Sequence, residues 1–189
     1  PFIRPAHVRA VYPDAEITSY TQAVQTALAQ AAPAADRRVL VAHQFVTGAS
    51  RCESEEVSVG GLDQIGAEVF DVFDYVALGH IHSPQHIGRE TLRYCGTPLK
   101  YSFSEAEQKK SVVVMEIKEK GDIFIEKVPL KPLRDLRKIR GTYMELMSKD
   151  FYEGTETDDY LQITLTDEED VPDGMAKLRT VYPNLMQLV

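Results

Sequence analysis

Residues 75–82 read Tyr75-Val76-Ala77-Leu78-Gly79-His80-Ile81-His82. A short apolar run bounded by glycine predicts a buried β-strand. The two histidines that follow are two positions apart, so an extended backbone projects both rings from the same face. This stretch therefore predicts a strand that leads directly into a pair of possible metal ligands.

A second apolar run at 38–42 predicts another buried strand, and it delivers His43 at its carboxyl end. Ligands of α/β sheets gather at the carboxyl ends of strands. Neutral imidazoles bind first-row divalent metals. We therefore predict a metal site made by His43, His80 and His82. The alternative interpretation is that all three are ordinary polar histidines of surface loops.

The other elements predicted before residue 130 are one helix and several short extended segments. The helix covers 18–32, with Thr18 or Ser19 as its N-cap and Pro33 at its end. A helical turn is expected at 70–74. An extended segment is expected at 57–61, and two hairpin-like pairs are expected at 85–88 with 91–94 and at 111–117 with 123–128.

The composition changes near residue 130, where a basic stretch is followed by a strongly acidic one. This shift predicts one domain over 1–130 and a small α/β domain over 131–189. The basic stretch either follows a nucleic-acid backbone or is the solvated face of a linker strand. The second domain is expected to contain a strand at 134–140, a helix at 142–148, a strand at 160–165, a helix at 173–181 and a final extended segment.

The 189 residues have a hydrophobic fraction of 43% and a charged fraction of 26%, which is typical of a globular protein. No apolar run has membrane length, so we expect no membrane association. The two cysteines form no spaced metal motif, and a reducing, cytoplasmic location is expected. A net charge of −8 argues against binding nucleic acid by bulk electrostatics alone, although bound metal ions would change that balance. The chain starts with Pro1 rather than Met, so we expect a longer parent protein.

Three stretches resemble the later motifs of the calcineurin-like metallophosphoesterases. Besides 75–82, they are Leu40-Val41-Ala42-His43-Gln44-Phe45 and Tyr94-Cys95-Gly96-Thr97-Pro98-Leu99-Lys100-Tyr101-Ser102-Phe103-Ser104-Glu105. Within that superfamily they resemble the Mre-type DNA repair nucleases, which include the nuclease subunits of bacterial SbcCD complexes. The tail is similar to the capping domain of that family at Leu136–Gly141, Asp159-Tyr160-Leu161, Leu178-Arg179 and Tyr182-Pro183-Asn184.

The resemblance implies a mixed α/β fold: the second half of a four-layer αββα sandwich, followed by a small α/β capping domain that binds DNA. It implies two metal ions, usually Mn²⁺. His43 and His80 would bind one ion, and His82 would bind the other.

The earlier motifs of the family do not occur in this sequence. They supply the remaining ligands and the histidine that protonates the leaving group, so no catalytic residue is assigned here. We therefore expect this chain by itself to bind Mn²⁺ weakly and to leave DNA uncleaved.

Several other residues have a functional and a structural interpretation. Lys100 and Arg51 are candidates for contacts with DNA phosphates, or they pack in loops. His86 either orients a metal-binding histidine or is a solvated strand residue. Glu105 is expected to cap or pair locally.

The resemblance also implies partners: DNA, the SbcC ATPase subunit, and a homodimer or heterotetramer in the complete complex. Two other functions stay open, a phosphodiesterase of small nucleotides and a fold module without catalysis. Because half a sandwich leaves a sheet edge exposed, we expect this chain to associate with itself.

Overall fold

The computed structural model describes residues 2–31, 35–52 and 63–189, and the chain forms two compact units. Unit 1 consists of Pro1–Pro98 and Lys109–Leu130, and unit 2 consists of Leu99–Gln108 and Lys131–Val189. The architecture is mixed α/β with several small sheets. The assignment of 1–130 and 131–189 to a nuclease half and a capping domain stays a prediction.

Unit 1 begins with two helices, α1 (Pro5–Val11) and α2 (Tyr20–Ala31). The Ser19 hydroxyl accepts a hydrogen bond from the Gln22 backbone N–H at 3.1 Å, and this confirms the predicted N-terminal cap. Helix α2 packs its buried face, which includes Ala23 and Val24, against the interior of unit 1. The predicted end at Pro33 lies outside the described residues.

The main sheet of unit 1 has four strands: β1 (Val39–His43), β4 (Tyr75–Gly79), β5 (Gln85–Ile87) and β6 (Arg89–Tyr94). They lie in the order β1-β4-β6-β5. Strands β1, β4 and β6 are parallel, and β5 is antiparallel to β6. The register of the first pair puts His43 opposite Gly79.

The remaining strands of unit 1 form two short pairs. A parallel pair joins β2 (Phe45–Val46) to β3 (Gln64–Ile65). The antiparallel hairpin is β7 (Ser111–Ile117) with β8 (Ile123–Pro129), as predicted. A 3-10 turn occupies Ala67–Phe70, which is a few residues before the helical turn predicted at 70–74. The predicted segment 57–61 lies outside the described residues.

The two faces of the main sheet differ in burial. One face packs into the core through Val76, Leu78, Leu92 and Tyr94. On the other face β1 leaves Val39 45% exposed and Val41 79% exposed. The prediction that 38–42 is a buried strand was therefore wrong, because β1 is an edge strand with one uncovered face. Strand β4 lies inside the sheet and is buried as predicted.

Unit 2 contains β9 (Leu136–Gly141), α3 (Tyr143–Leu146), α4 (Lys149–Tyr152), β10 (Tyr160–Leu165), α5 (Gly174–Leu178) and β11 (Leu185–Leu188). Its strands form a parallel sheet in the order β11-β10-β9, with helices packed on one face. The buried strand residues Leu161, Ile163 and Leu185 pack against Leu146 and Leu178 of the helices. The predicted order of strands and helices is confirmed except that two short helices, α3 and α4, lie between β9 and β10 where one was predicted, and the helices are shorter. A second 3-10 turn lies at Phe103–Glu105.

Within the described part of the chain, no helix has the length and apolar character needed to cross a membrane.

The Tyr94 hydroxyl fastens β6 to the segment that follows His43. It donates to the Gln44 carbonyl at 2.8 Å and accepts from the Val46 N–H at 2.9 Å. The side chain is fully buried, so both backbone groups depend on it for pairing.

We expect Tyr94→Phe to lower the free energy of unfolding by about 1–3 kcal/mol, because two buried backbone groups lose their partner. Urea unfolding followed by circular dichroism measures this change. Tyr20→Phe, at a partly exposed position of α2, is the control and should change stability by less than about 0.5 kcal/mol. Equal effects of the two substitutions would contradict the role of the Tyr94 hydroxyl.

Candidate metal centre

His43 and His80 meet at the carboxyl ends of two neighbouring parallel strands. His43 is the last residue of β1, and His80 directly follows β4. Their ring centroids are 5.4 Å apart, with an angle of 78° between the ring planes. The rings of Phe2 and Phe45 flank His80 at 5.6 Å and 6.1 Å. Two predicted ligands are thus brought into direct contact on an aromatic surface.

Gly79 makes room for the His43 ring. A Cβ atom at position 79 would lie 2.8 Å from His43 Nδ1, a distance that real Cβ atoms essentially never show. The cause is the register, since paired residues of adjacent strands project their side chains to the same face. Packing of the His43 ring therefore explains why the residue before His80 is glycine.

His80 has a backbone φ of +104°, in the region that L-residues rarely adopt. Such a conformation costs about 1–3 kcal/mol and persists only where surrounding contacts impose it. Here it turns the chain sharply at the end of β4, where His80 faces His43. Strain of this kind is concentrated at functional sites, and this supports a role for His80 beyond packing.

His82 is held through its backbone carbonyl. The carbonyl accepts hydrogen bonds from the Thr97 N–H and the Lys110 ammonium, both at 3.1 Å. Lys110 also donates to the Thr97 hydroxyl at 2.9 Å. Gly96 permits this close packing: its φ is +78°, and a Cβ there would lie 2.6 Å from the His82 oxygen. The turn after β6 thus fixes the backbone that carries the third predicted ligand.

Sequence reasoning missed Cys52. Its Sγ lies within 4.8 Å of a ring nitrogen of His82, and both residues are half-buried. A thiolate is a strong metal ligand. The spacing along the chain offered no signal for this pairing, because the loop after β2 brings Cys52 to His82 only in three dimensions.

Arg51 packs inside unit 1. Its guanidinium carbon lies 3.7 Å from the centroid of the Phe45 ring, which is a cation–π contact. Its Nη2 lies 3.7 Å from the buried Asp63 carboxylate. These contacts stabilise the loop beside the histidines, and a contact between Arg51 and DNA stays a prediction.

Lys100 forms hydrogen bonds within unit 2. Its ammonium donates to the Ala106 carbonyl at 2.6 Å, to Asp135 Oδ2 at 3.0 Å and to the Leu136 carbonyl at 3.3 Å. The side chain therefore joins the 99–108 segment to the start of β9. A contact between Lys100 and a DNA phosphate stays a prediction.

Two other polar residues have local structural settings. His86 is partly exposed on β5, with its Nδ1 3.2 Å from Glu90 Oε1. Glu105 is fully buried in the 3-10 turn of unit 2. Neither setting is a reason to group these side chains with the His43 and His80 rings.

Part of the basic stretch forms an open face of the unit 2 sheet. Arg137 turns to the acidic loop and donates to Asp159 at 2.6 Å. Lys138 and Arg140 point to the opposite face from buried Ile163, and both are exposed. We call this the outer face of unit 2; it consists of Lys138, Arg140, Gln162, Thr164 and Gln187.

Comparison with known proteins shows what these units are similar to. Residues 132–189 match the family model SbcD_C, described as the type 5 capsule protein repressor C-terminal domain. Over its full length the chain is similar to the SbcD subunit of the nuclease SbcCD from Staphylococcus epidermidis, with 32% identity over 192 residues. Both matches are to SbcD proteins, so the chain resembles this family over its whole length. It spans about half the length of the curated relative it matches, covering 51% of that protein.

We expect Gly96→Ala to destabilise unit 1 by about 2–4 kcal/mol, because the new methyl group adds a backbone clash to the strain of positive φ. Gly88→Ala is the matched control: its φ is +69°, and a Cβ there has no atom within 4 Å. It should cost roughly 1 kcal/mol from backbone strain alone. Urea unfolding of both variants measures the difference, and equal losses would show that the contact with His82 is unimportant.

Proposed function

We propose that this chain forms part of a metal-dependent DNA nuclease that hydrolyses phosphodiesters with two metal ions. His43 and His80 bind one ion, and His82 contributes to the other. The observation that carries the proposal is the contact between the His43 and His80 rings at the strand ends. Similarity to a nuclease subunit over the whole chain supports the same activity.

The paired rings fit a shared divalent ion. Two imidazoles that each bind one ion at about 2.1 Å have ring centroids roughly 5 Å apart. The measured separation of 5.4 Å agrees with this arrangement, and so does the large angle between the rings. Imidazole ligands suit first-row metals, and we propose Mn²⁺ on the family resemblance.

The residues of this chain would hold and orient the metal pair. His43 keeps its ring beside His80 because Gly79 leaves the space free. The backbone of His82 is fixed by Lys110 and Thr97. Two bound ions supply Lewis-acid activation of a water molecule and neutralise charge on the phosphodiester.

The described residues provide only part of a metal centre. Three imidazoles divided between two ions fall short of the four to six ligands that such ions take. We therefore propose that further ligands come from residues of the complete protein that this chain does not contain, since it spans about half of its relative. By itself this chain would bind Mn²⁺ weakly and cleave no DNA.

The uncovered face of β1 supports the proposal that the complete protein has a further layer of structure. Val39 and Val41 present apolar side chains to solvent on the face that carries His43. Burying such a face normally requires a second layer of structure. We propose that a second sheet covers it in the complete protein, which gives the four-layer αββα sandwich of the metallophosphoesterases.

The outer face of unit 2 supports DNA as the substrate. Lys138 and Arg140 supply cations for phosphates, and Gln162, Thr164 and Gln187 supply hydrogen-bonding groups beside them. A phosphodiesterase of small nucleotides has no need of such a surface, so we favour the nuclease. We propose that unit 2 serves as the DNA-binding cap.

The proposed biological setting follows from the family. The complete protein acts in the cytoplasm in DNA repair and recombination, with the SbcC ATPase as its partner, as a homodimer or within a heterotetramer. The name of the relative, a component of the SbcCD nuclease, supports this assignment.

Isothermal titration of Mn²⁺ into this chain tests the metal centre. We expect weak binding, and we expect His43→Ala and His80→Ala each to weaken it by about tenfold or more, because each removes one ligand. Gly79→Ala should weaken binding as well, because it displaces the His43 ring without removing a ligand.

His7→Ala is the control for this titration, since His7 is an exposed histidine of α1. It should leave Mn²⁺ binding unchanged. Equal affinity of the wild type, His43→Ala and His80→Ala would refute the proposed centre. Efficient Mn²⁺-dependent DNA cleavage by the purified chain would refute the proposal that its metal centre is incomplete.

Fluorescence anisotropy with duplex DNA tests the outer face of unit 2. The double variant Lys138→Ala/Arg140→Ala should bind DNA more weakly and lower the slope of log affinity against log salt by about two. The matched control is Lys149→Ala/Lys177→Ala, which removes two cations from the helices on the opposite side. The same loss in both double variants would contradict a specific surface.

A further inference from the structure

Two adjoining cavities lie in unit 1 beside β6 and the β7–β8 hairpin. Their volumes are about 510 Å³ and about 460 Å³, and both are lined by Thr91 and Ile123. The first reaches Arg38, which precedes β1, and Asp74, which precedes β4. The cleft therefore lies at the amino ends of these strands, whereas the histidines lie at their carboxyl ends.

Cations predominate in the lining of this cleft. Five basic side chains face three carboxylates. The Asp74 carboxylate already accepts the Arg38 backbone N–H at 2.8 Å. The hydrogen bond from Arg93 at 2.6 Å holds the pKa of the Glu90 carboxyl below its usual value. The basic residues are Arg38, Arg89, Arg93, Lys120 and Lys127.

Arg93 is the most unusual residue of the lining. It is only 3% exposed, although it lies on the sheet face that borders the second cavity. Its Nη1 binds Glu90, but its Nε is buried and has no hydrogen-bond partner among the described residues. A buried donor without an acceptor destabilises the folded protein, so this guanidinium is suited to receive an anion.

The remaining lining gives the cleft a partly apolar character. Phe73 and Val72 line the first cavity, Ile125 lines the second, and Ile123 lies between them. Thr91, like Ile123, lines both cavities and adds a polar group to the wall that they share. Volumes of this size are in the range of small-molecule sites, which combine apolar walls with a few polar anchors.

We propose that this cleft binds a small phosphate monoester. The phosphate lies against Arg93 and Lys127 in the second cavity, because Arg93 is the most buried cation of the lining and its Nε has no hydrogen-bond partner among the described residues. The organic part of the ligand extends along Ile123 toward Phe73 in the first cavity. This site is independent of the histidines and of the nuclease activity proposed above.

Isothermal titration of inorganic phosphate, AMP and adenosine into the purified chain tests the site. Phosphate and AMP should bind, AMP more tightly, and adenosine should show no measurable binding. Lys127→Gln should weaken the binding of both anions by about tenfold, equivalent to about 1.4 kcal/mol. Lys127 is an exposed residue of β8, so its substitution spares the fold.

Lys118→Gln is the matched control, because it removes the same charge from the same hairpin at a position that lines neither cavity. It should leave both affinities unchanged. Three results would each overturn the proposal: adenosine binding as tightly as AMP, equal weakening by the two lysine substitutions, or no binding of either anion at about 10 mM.

Discussion

The parallel pairing of β1 with β4 places His43 opposite Gly79, and the candidate metal centre depends on this register. Because position 79 has no side chain, the His43 ring occupies the space beside the end of β4. The strained turn at His80 then brings the second ring to it. A shift of one residue would turn His43 to the opposite face of the sheet and remove the contact.

Hydrogen bonds to the backbone beside the histidines support this arrangement. The Tyr94 hydroxyl forms a hydrogen bond with the segment after His43, and Lys110 and Thr97 donate hydrogen bonds to the carbonyl of His82. These contacts come from β6 and from residues that follow it in the chain. Elements that carry no candidate ligand themselves thus help to hold the histidines in place. The cationic cleft lies at the amino ends of the same strands, so two chemically different sites occupy opposite ends of one sheet.

The sequence was most informative where the pattern was local. The helix cap at Ser19, the hairpin of β7 and β8 and the buried strand β4 were all predicted from a few adjacent residues. The burial of β1 was predicted wrongly, because its apolar residues match those of a central strand. Only the sheet order reveals that β1 is an edge strand with Val41 exposed.

The sequence by itself determined the three histidines, their places after apolar strands and the resemblance to the metallophosphoesterases, since adjacent residues suffice for such motifs. Tertiary structure alone decided which rings meet, what each basic side chain contacts and why position 79 is glycine. Arg51 stacks on Phe45, and Lys100 binds Asp135 across a long stretch of chain. The proximity of Cys52 to His82 is likewise a product of the tertiary structure. Such contacts depend on strand order and register, which join residues whose separation along the chain carries no periodic signal.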